Sequence, residues 1–185
     1  TPHTPPERIL KKYIAKGVQE RIAKYYAMCE WFDETCGTLV KHIDESGVGN
    51  NTLIVYVTDN GWIQTEAGSY APRSKRSPYE GGTRTPIMFR WPGTIAPADR
   101  PELCSSIDIV PTMLAAAGAD APHDFPGLNL LPQLKTGKQI DRDTLFGESF
   151  AHDIADINKP QASLLYRWVI RGNHKLLLTY DGAPG

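Results

Sequence analysis

Cysteine is scarce in this sequence, and the few thiols present do not suggest a disulfide framework. The 185 residues include three cysteines, and Cys29 and Cys36 lie seven positions apart in a helical pattern. At 1.5 Å per residue this spacing corresponds to about 10 Å along a helix, which is too far for a disulfide. We therefore expect the cysteines to be buried free thiols.

Long apolar runs and a surplus of one charge are also missing. The longest apolar run, residues 53–57, is far shorter than the ~20 residues that a membrane-spanning helix requires, so no such segment is predicted. Twenty basic residues stand against 21 acidic ones, which leaves a net charge of -1. This balance excludes the basic surface typical of proteins that bind a nucleic-acid backbone, and we expect no nucleic-acid partner.

The composition is that of an ordinary globular protein. Hydrophobic residues make up 41% of the chain and charged residues 22%, which excludes the disordered and collagen-like classes. The length is suited to one domain, or to one domain with part of another.

A single long helix is predicted early in the chain. Apolar side chains recur at alternating spacings of four and three residues, which places them on one helix face. They are Val18, Ile22, Tyr25, Cys29, Phe32, Cys36, Leu39 and Ile43. The turn-forming residues from Gly47 to Asn51 predict the end of this helix. A coiled coil is the alternative, but no second stripe of this kind follows.

Two apolar strands are predicted next, separated by a loop with little regular pattern. Residues 52–58 are continuously apolar or β-branched, as in a strand covered on both faces in a parallel sheet flanked by helices. Residues 86–91 form the second strand. The polar stretch at 64–78 is long for a simple connection, which indicates a functional or disordered loop. A further helix is predicted at 106–117, ending at Gly118.

The pattern changes near Arg142, where short strands replace the helices. These strands are predicted at residues 144–149, 166–171 and 175–180. The turn residues Gly172 and Asn173 join the last two as an antiparallel hairpin. We therefore predict an α/β fold for residues 1–142, followed by a small antiparallel sheet at 143–185.

Asp59 and Asn60 directly follow the first predicted strand. Ligands of open α/β sheets bind at the carboxyl ends of strands, and these side chains offer two oxygens to a hard cation such as Ca²⁺ or Mg²⁺. Asp-Asn-Gly is also common turn chemistry. Two neighbouring oxygens cannot fill a six-coordinate shell, so further ligands must come from elsewhere.

Three longer motifs occur in order and are more specific in combination. They read "TDNGW" at 58–62, "SKRSPYEGGTRTP" at 74–86 and "RWPG" at 90–93. With them the chain resembles the sulfatase family of the alkaline-phosphatase superfamily, as it also does in "PHTPPE", "SSIDIVPTMLAAAG" and "GLNLLPQL". The resemblance covers essentially all 185 residues, which correspond to less than half of a typical member.

The resemblance implies part of an alkaline-phosphatase-like mixed sheet flanked by helices. Residues 1–142 would form the C-terminal part of the catalytic domain, and residues 143–185 the start of a small C-terminal subdomain.

The same resemblance implies roles for individual residues. Asp59 and Asn60 would be metal ligands for Ca²⁺, with Mg²⁺ as the alternative. Lys75 and His3 would be catalytic and contact the sulfate ester, and Arg84 would support the site structurally. These residue types suit a sulfate monoester, because its negative charge must be neutralised as sulfur is attacked.

The chain departs from the family in its nucleophile. Sulfatases attack with a formylglycine made from a Cys/Ser-x-Pro/Ala-x-Arg motif, and no cysteine here stands in that motif. The paired aspartates that complete the family's metal shell are also missing. We expect the formylglycine in a missing N-terminal part, so that this fragment alone is inactive.

Other interpretations remain open. A phosphodiesterase or phosphonate hydrolase of the same superfamily would use similar cationic groups, and a non-catalytic module would bind anionic sugars without cleaving them. The expected partner is a sulfated small molecule or carbohydrate. His152, between Glu148 and Asp153, is a candidate substrate-binding residue, although a solvated loop is the alternative. The resemblance favours a periplasmic or secreted location.

Overall fold

The computed structural model describes residues 3–180, which form five α-helices, five β-strands and three short 3₁₀ turns. Thr1, Pro2 and residues 181–185, where the second predicted unit ends, lie outside the described residues. Across residues 3–180, no helix is both long and apolar enough to cross a membrane. The elements are α1 (Glu7–Ala15), α2 (Glu20–Glu45), β1 (Ile54–Val57), α3 (Glu80–Thr83), β2 (Ile87–Arg90), α4 (Ile109–Ala116), α5 (Leu131–Thr136), β3 (Thr144–Phe150), β4 (Leu164–Arg171) and β5 (His174–Thr179), with 3₁₀ turns at Gly49–Asn51, Ser106–Asp108 and Pro160–Ser163.

The first two helices form an antiparallel hairpin. Helix α1, which the sequence analysis did not predict, is followed by a turn at Gly17, whose φ of +74° favours glycine. Ile9 of α1 is fully buried against α2, together with Ala23 and Ala27. Ion pairs, one of them between Arg8 and Glu34, also join the two helices. The hairpin therefore buries apolar side chains between the helices and pairs charges at its margin.

The long predicted helix is confirmed, but its apolar stripe is not its most buried face. Phe32 and Leu39 are 53% and 61% exposed, whereas the small residues Ala23 and Ala27 are fully buried. Small side chains allow α1 to approach closely, which decides the contact face. The prediction of buried thiols is wrong, because Cys29 is exposed and Cys36 and Cys104 are only partly buried, although all three are free thiols.

Strands β1 and β2 pair in the antiparallel direction, with Ile54 opposite Arg90 and Val57 opposite Ile87. The expectation of parallel neighbours for β1 is therefore wrong for the pairing seen among the described residues. An apolar run does not specify strand direction, since antiparallel strands in a covered sheet share the same composition. The expected cover on both faces is also not seen among the described residues, where Val57 is 42% exposed.

Helix α4 is anchored by a buried carboxylate just before it. The side chain of Asp108 accepts hydrogen bonds from the backbone N–H groups of Ser105 and Leu128, each at 2.8 Å. It also forms two hydrogen bonds with the Arg142 guanidinium, at 2.6 and 2.8 Å. Burial by itself raises the pKa of Asp108, but these hydrogen bonds outweigh it and hold the pKa below its usual value.

The predicted strands of the C-terminal region form one antiparallel sheet in the order β3-β4-β5. Gly172, with a φ of +53°, forms the predicted turn between β4 and β5. Gly147 of β3 lies opposite Trp168 of β4, and a Cβ atom at Gly147 would be 2.0 Å from the indole ring. The indole therefore requires glycine at this position. The division of the chain into two domains at residue 142 stays a prediction.

Candidate functional site

Asp59 and Asn60 lie just beyond the end of β1. The Asn60 amide donates a hydrogen bond to the Asp59 carboxylate, which is exposed. Before them, the hydroxyl groups of Tyr56 and Thr58 lie 3.1 Å apart. The strand thus ends with a carboxylate accessible from solvent and an amide beside it.

This pair is suited to part of a hard-cation site. A carboxylate and an amide oxygen are ligands that Ca²⁺ and Mg²⁺ accept, and use of both requires the Asn60 amide to turn its oxygen towards the ion. Within residues 3–180, no group of three or more His, Cys, Asp or Glu side chains is arranged to hold a metal ion. The donor types therefore suit a hard cation, but the pair would supply only two of its ligands.

The turn after Asn60 is held closely against α3. The Gly61 N–H donates to the Gly82 carbonyl at 2.9 Å. A Cβ atom at Gly61 would lie 2.1 Å from the Gly81 carbonyl oxygen, so no larger residue fits without movement of the backbone. The two glycines of the "YEGG" motif have no side chains, so the backbone that follows the Asp59–Asn60 turn can pack directly against them.

The long loop that follows is ordered around one buried serine, so the disordered interpretation is wrong. Ser74 is fully buried, and its hydroxyl accepts a hydrogen bond from the Ile63 N–H at 2.7 Å. The Ser77 hydroxyl donates to the Ser74 carbonyl at 2.6 Å, and the Ala71 N–H donates to the Ile63 carbonyl at 2.8 Å. These bonds fold the loop back onto the residues after β1.

Lys75 lies in this loop between two residues with unusual backbone. Arg73 and Arg76 have φ angles of +60° and +64°, in the left-handed region that costs a non-glycine residue about 1–2 kcal/mol. Arg73 is also held over the Tyr79 ring, 4.6 Å from its centroid. Such strain persists where surrounding contacts enforce it, and it often occurs at functional sites. Sequence reasoning missed it, because arginine carries no signal for this conformation.

The ammonium group of Lys75 has no acidic partner among residues 3–180. Its Nζ atom lies 5.7 Å from the centroid of the Trp62 ring, two residues after Asn60. Trp62 is itself held by the Tyr70 ring at 5.0 Å and by a 3.1 Å hydrogen bond to Gln64. Lys75 is half-buried and forms no ion pair in the described structure, so its ammonium is available to a bound anion.

His3 lies near the first half of α2, not in the loop of Lys75. Its ring centroid is 6.0 Å from that of Tyr25. Burial raises the pKa of Tyr25 to about 12, with smaller contributions from Cys29, Tyr26 and Tyr56. No hydrogen bond or ring contact in the described structure joins His3 to Asp59, Asn60 or Lys75, so its catalytic role stays a prediction.

Arg84 and His152 are exposed, and neither side chain has a hydrogen-bond or ion-pair partner in the described part of the chain. Arg84 immediately follows α3, and its backbone N–H donates to the Glu80 carbonyl at 2.9 Å. His152 lies in the loop after β3. The structure brings neither into contact with Lys75, and both assignments stay predictions.

One lysine near the site was missed from sequence. Lys175 of β5 donates to the Thr83 hydroxyl at 2.7 Å and to the Glu80 carboxylate at 3.2 Å. Lys175 belongs to the C-terminal sheet and lies more than ninety residues after Thr83 in the sequence. No nearby sequence pattern indicates that it contacts α3. A surface cleft of about 460 Å³, lined by Arg100, Glu102 and neighbours, includes none of these residues.

Comparison with known proteins shows which family the chain resembles. The family model described as "Sulfatase" matches residues 1–119, and that described as "N-sulphoglucosamine sulphohydrolase, C-terminal" matches residues 68–176. Human arylsulfatase A is 35% identical over 132 residues, which cover 68% of this chain and 26% of that protein. The chain thus spans about a quarter of that relative's length.

Two solved structures extend the likeness to the fold. A protein in complex with its substrate D-glucosamine-2-N,6-O-disulfate is 27% identical, with a TM-score of 0.69 over 90% of this chain and 33% of the other. A phosphonate monoester hydrolase from Silicibacter pomeroyi is 25% identical, with a TM-score of 0.63 over 88% of this chain and 35% of the other. These likenesses confirm the predicted fold class.

Proposed function

The chain belongs to the sulfatase family, and from this we propose that the full-length protein hydrolyses sulfate monoesters. The observation that carries the proposal is the Lys75 ammonium, which is held over Trp62 without an acidic partner in residues 3–180. It lies in a loop that is hydrogen-bonded to Ile63, three residues after Asn60. A sulfate ester needs cationic groups of this kind where its charge develops.

In this proposal Asp59 and Asn60 bind a divalent cation, Ca²⁺ or the alternative Mg²⁺. When bound, such a cation neutralises negative charge on the ester oxygens. Further ligands are required from other parts of the protein, because the pair offers only two donor groups. The exposure of Asp59 supports this role, since a ligand must be reachable.

Lys75 is proposed to hold the sulfate group and to offset the charge that grows on the leaving oxygen. Its contact with Trp62 orients the ammonium without neutralising it. His3 is proposed to donate a hydrogen bond to the ester through a ring N–H. Its half-buried ring beside Tyr25 is consistent with a fixed orientation.

We propose a sulfated carbohydrate as the substrate. This is supported by the sugar-sulfate complex among the similar structures and by the description of the second matching family model. His152 is proposed to contact this substrate, because its exposed loop is accessible.

The second candidate is hydrolysis of a phosphonate monoester, which is favoured by the likeness to a phosphonate monoester hydrolase. A phosphoryl centre also needs cationic groups around its oxygens.

The test is a substrate panel assayed with the full-length protein and calcium. We expect release of sulfate from a glucosamine sulfate, with slower turnover of an aryl sulfate and of a phenyl phosphonate. Preferential cleavage of the phosphonate would favour the second candidate. Binding of the sulfated sugar without any turnover would instead identify a non-catalytic binding module.

A further inference from the structure

Lys175 connects the C-terminal sheet to the short helix α3. Its side chain is only 13% exposed, and its ammonium donates to the Thr83 hydroxyl at 2.7 Å and the Glu80 carboxylate at 3.2 Å. The same ammonium lies 4.7 Å from the centroid of the Trp168 ring. These three contacts fix the ammonium, although the lysine and its two acceptors are far apart in sequence.

Helix α3 in turn contacts both parts of the proposed site. Its Gly82 carbonyl accepts the hydrogen bond from Gly61, the residue after Asn60. On the loop side, a Cβ atom at Gly82 would lie 2.4 Å from the carbonyl oxygens of Ser74 and Ser77, the residues on either side of the Lys75–Arg76 pair. Backbone this close cannot shift on one side without moving the other.

The Trp168 ring, which Lys175 contacts, is itself held rigidly. The Trp168 ring covers Gly147 so closely that a Cβ atom there would lie 2.0 Å away. The indole Nε1 is buried without a hydrogen-bond partner among the described residues. The ring is therefore held by packing, and its face is presented to Lys175.

We propose that Lys175 is a positioning residue for the sulfate-ester site. It fixes α3 against the C-terminal sheet, and α3 fixes the Asp59–Asn60 turn relative to Lys75. The C-terminal sheet is thus part of the machinery that sets the distance between the metal-binding turn and the cationic loop. This inference rests on the proposed function for its catalytic consequence, but its structural part does not depend on activity.

The test compares variants of the full-length protein. Lys175→Met keeps much of the side-chain length and removes the charge and both hydrogen bonds, whereas Lys175→Arg retains a cation that can donate to both acceptors and stack on Trp168. The control is Lys135→Met, because the Lys135 ammonium lies 5.5 Å from the Trp91 ring and contacts nothing in the proposed site.

Hydrogen exchange, calcium affinity and steady-state kinetics are measured for each variant. Charge-assisted hydrogen bonds are strong enough that their loss should accelerate exchange in peptides spanning residues 59–83 by about tenfold. We expect Lys175→Met to weaken calcium binding and to lower kcat more than it raises KM, by about tenfold in kcat. Lys175→Arg should recover most of this, and Lys135→Met should match the wild type.

A lower melting temperature with unchanged exchange at 59–83, calcium affinity and kcat would overturn the proposal, since it would make Lys175 merely structural. If Lys175→Met does not fold, Thr83→Val removes the shorter hydrogen bond, and the same readouts apply. Failure of the proposed function would look different from failure of this inference. The wild type would then release no sulfate, but Lys175→Met would still accelerate hydrogen exchange in residues 59–83.

Discussion

Asp108 is the residue whose loss we expect to destabilise the protein most. Its side chain is 1% exposed, and that of its partner Arg142 is 11% exposed. Asp108→Ala leaves the Arg142 charge buried without a counter-charge, which costs about 3–5 kcal/mol. The backbone N–H groups of Ser105 and Leu128 lose their acceptor as well. We therefore expect a loss near the upper end, about 5 kcal/mol.

The assay is urea unfolding of the full-length protein, with two comparison variants. In Asp108→Leu/Arg142→Met no charge is left buried, although the Ser105 and Leu128 N–H groups still lose their acceptor. We therefore expect a smaller loss than for Asp108→Ala, about 2–3 kcal/mol. Asp143→Ala breaks an ion pair with Arg171 whose side chains are 76% and 77% exposed, and should cost less than about 0.5 kcal/mol. A loss below about 1 kcal/mol for Asp108→Ala, or no recovery in the double variant, would refute the reasoning.

The same carboxylate gives stability a defined pH dependence. Because the pKa of Asp108 is lowered in the folded state, its contribution is fully present above the ordinary aspartate pKa of about 3.9. The contribution is lost as the pH falls through the lower folded-state value. Melting temperatures measured between pH 2 and 5 should therefore fall more steeply for the wild type than for Asp108→Ala; equal slopes would contradict this assignment.

Four further outcomes are expected. Lys75→Ala should lower kcat by roughly 10²-fold with a melting temperature close to that of the wild type, and Lys75→Arg should recover activity only in part. Unchanged kinetics would show that Lys75 is a solvated loop residue without a role in catalysis. Asp59→Ala should weaken calcium binding in a titration by more than the roughly 10- to 100-fold typical when a group behind a ligand is lost, whereas unaltered affinity would leave Asp59 as turn chemistry. Gly147→Ala should destabilise by about 1–3 kcal/mol, because its Cβ would overlap the Trp168 ring, while Gly37→Ala, with nothing within 4 Å, should be neutral or slightly stabilising in a thermal melt. The isolated 185-residue chain should not hydrolyse a chromogenic aryl sulfate, and turnover surviving repurification would contradict the need for a formylglycine supplied from elsewhere.

Elements encoded by contiguous residues could be predicted from the sequence. Helix α2, the strands of the C-terminal sheet and the turn at Gly172 follow from periodicity and turn chemistry within short windows. The motifs at 58–62, 74–86 and 90–93 identified the family and the candidate residues Asp59, Asn60 and Lys75 without any coordinates. Each of these signals is local, because it depends on residues a few positions apart.

Contacts between distant residues were decided only by the tertiary structure. Burial of Ala23 in place of the apolar stripe of α2 depends on where α1 packs, and the antiparallel pairing of β1 depends on the path of the chain. The bond from Lys175 to Glu80 joins residues 95 positions apart. Local patterns specify which side chains can be buried or hydrogen-bonded. The residue that each side chain then contacts is determined by the packing of the whole chain, because close backbone approach and the burial of charges depend on all the elements together.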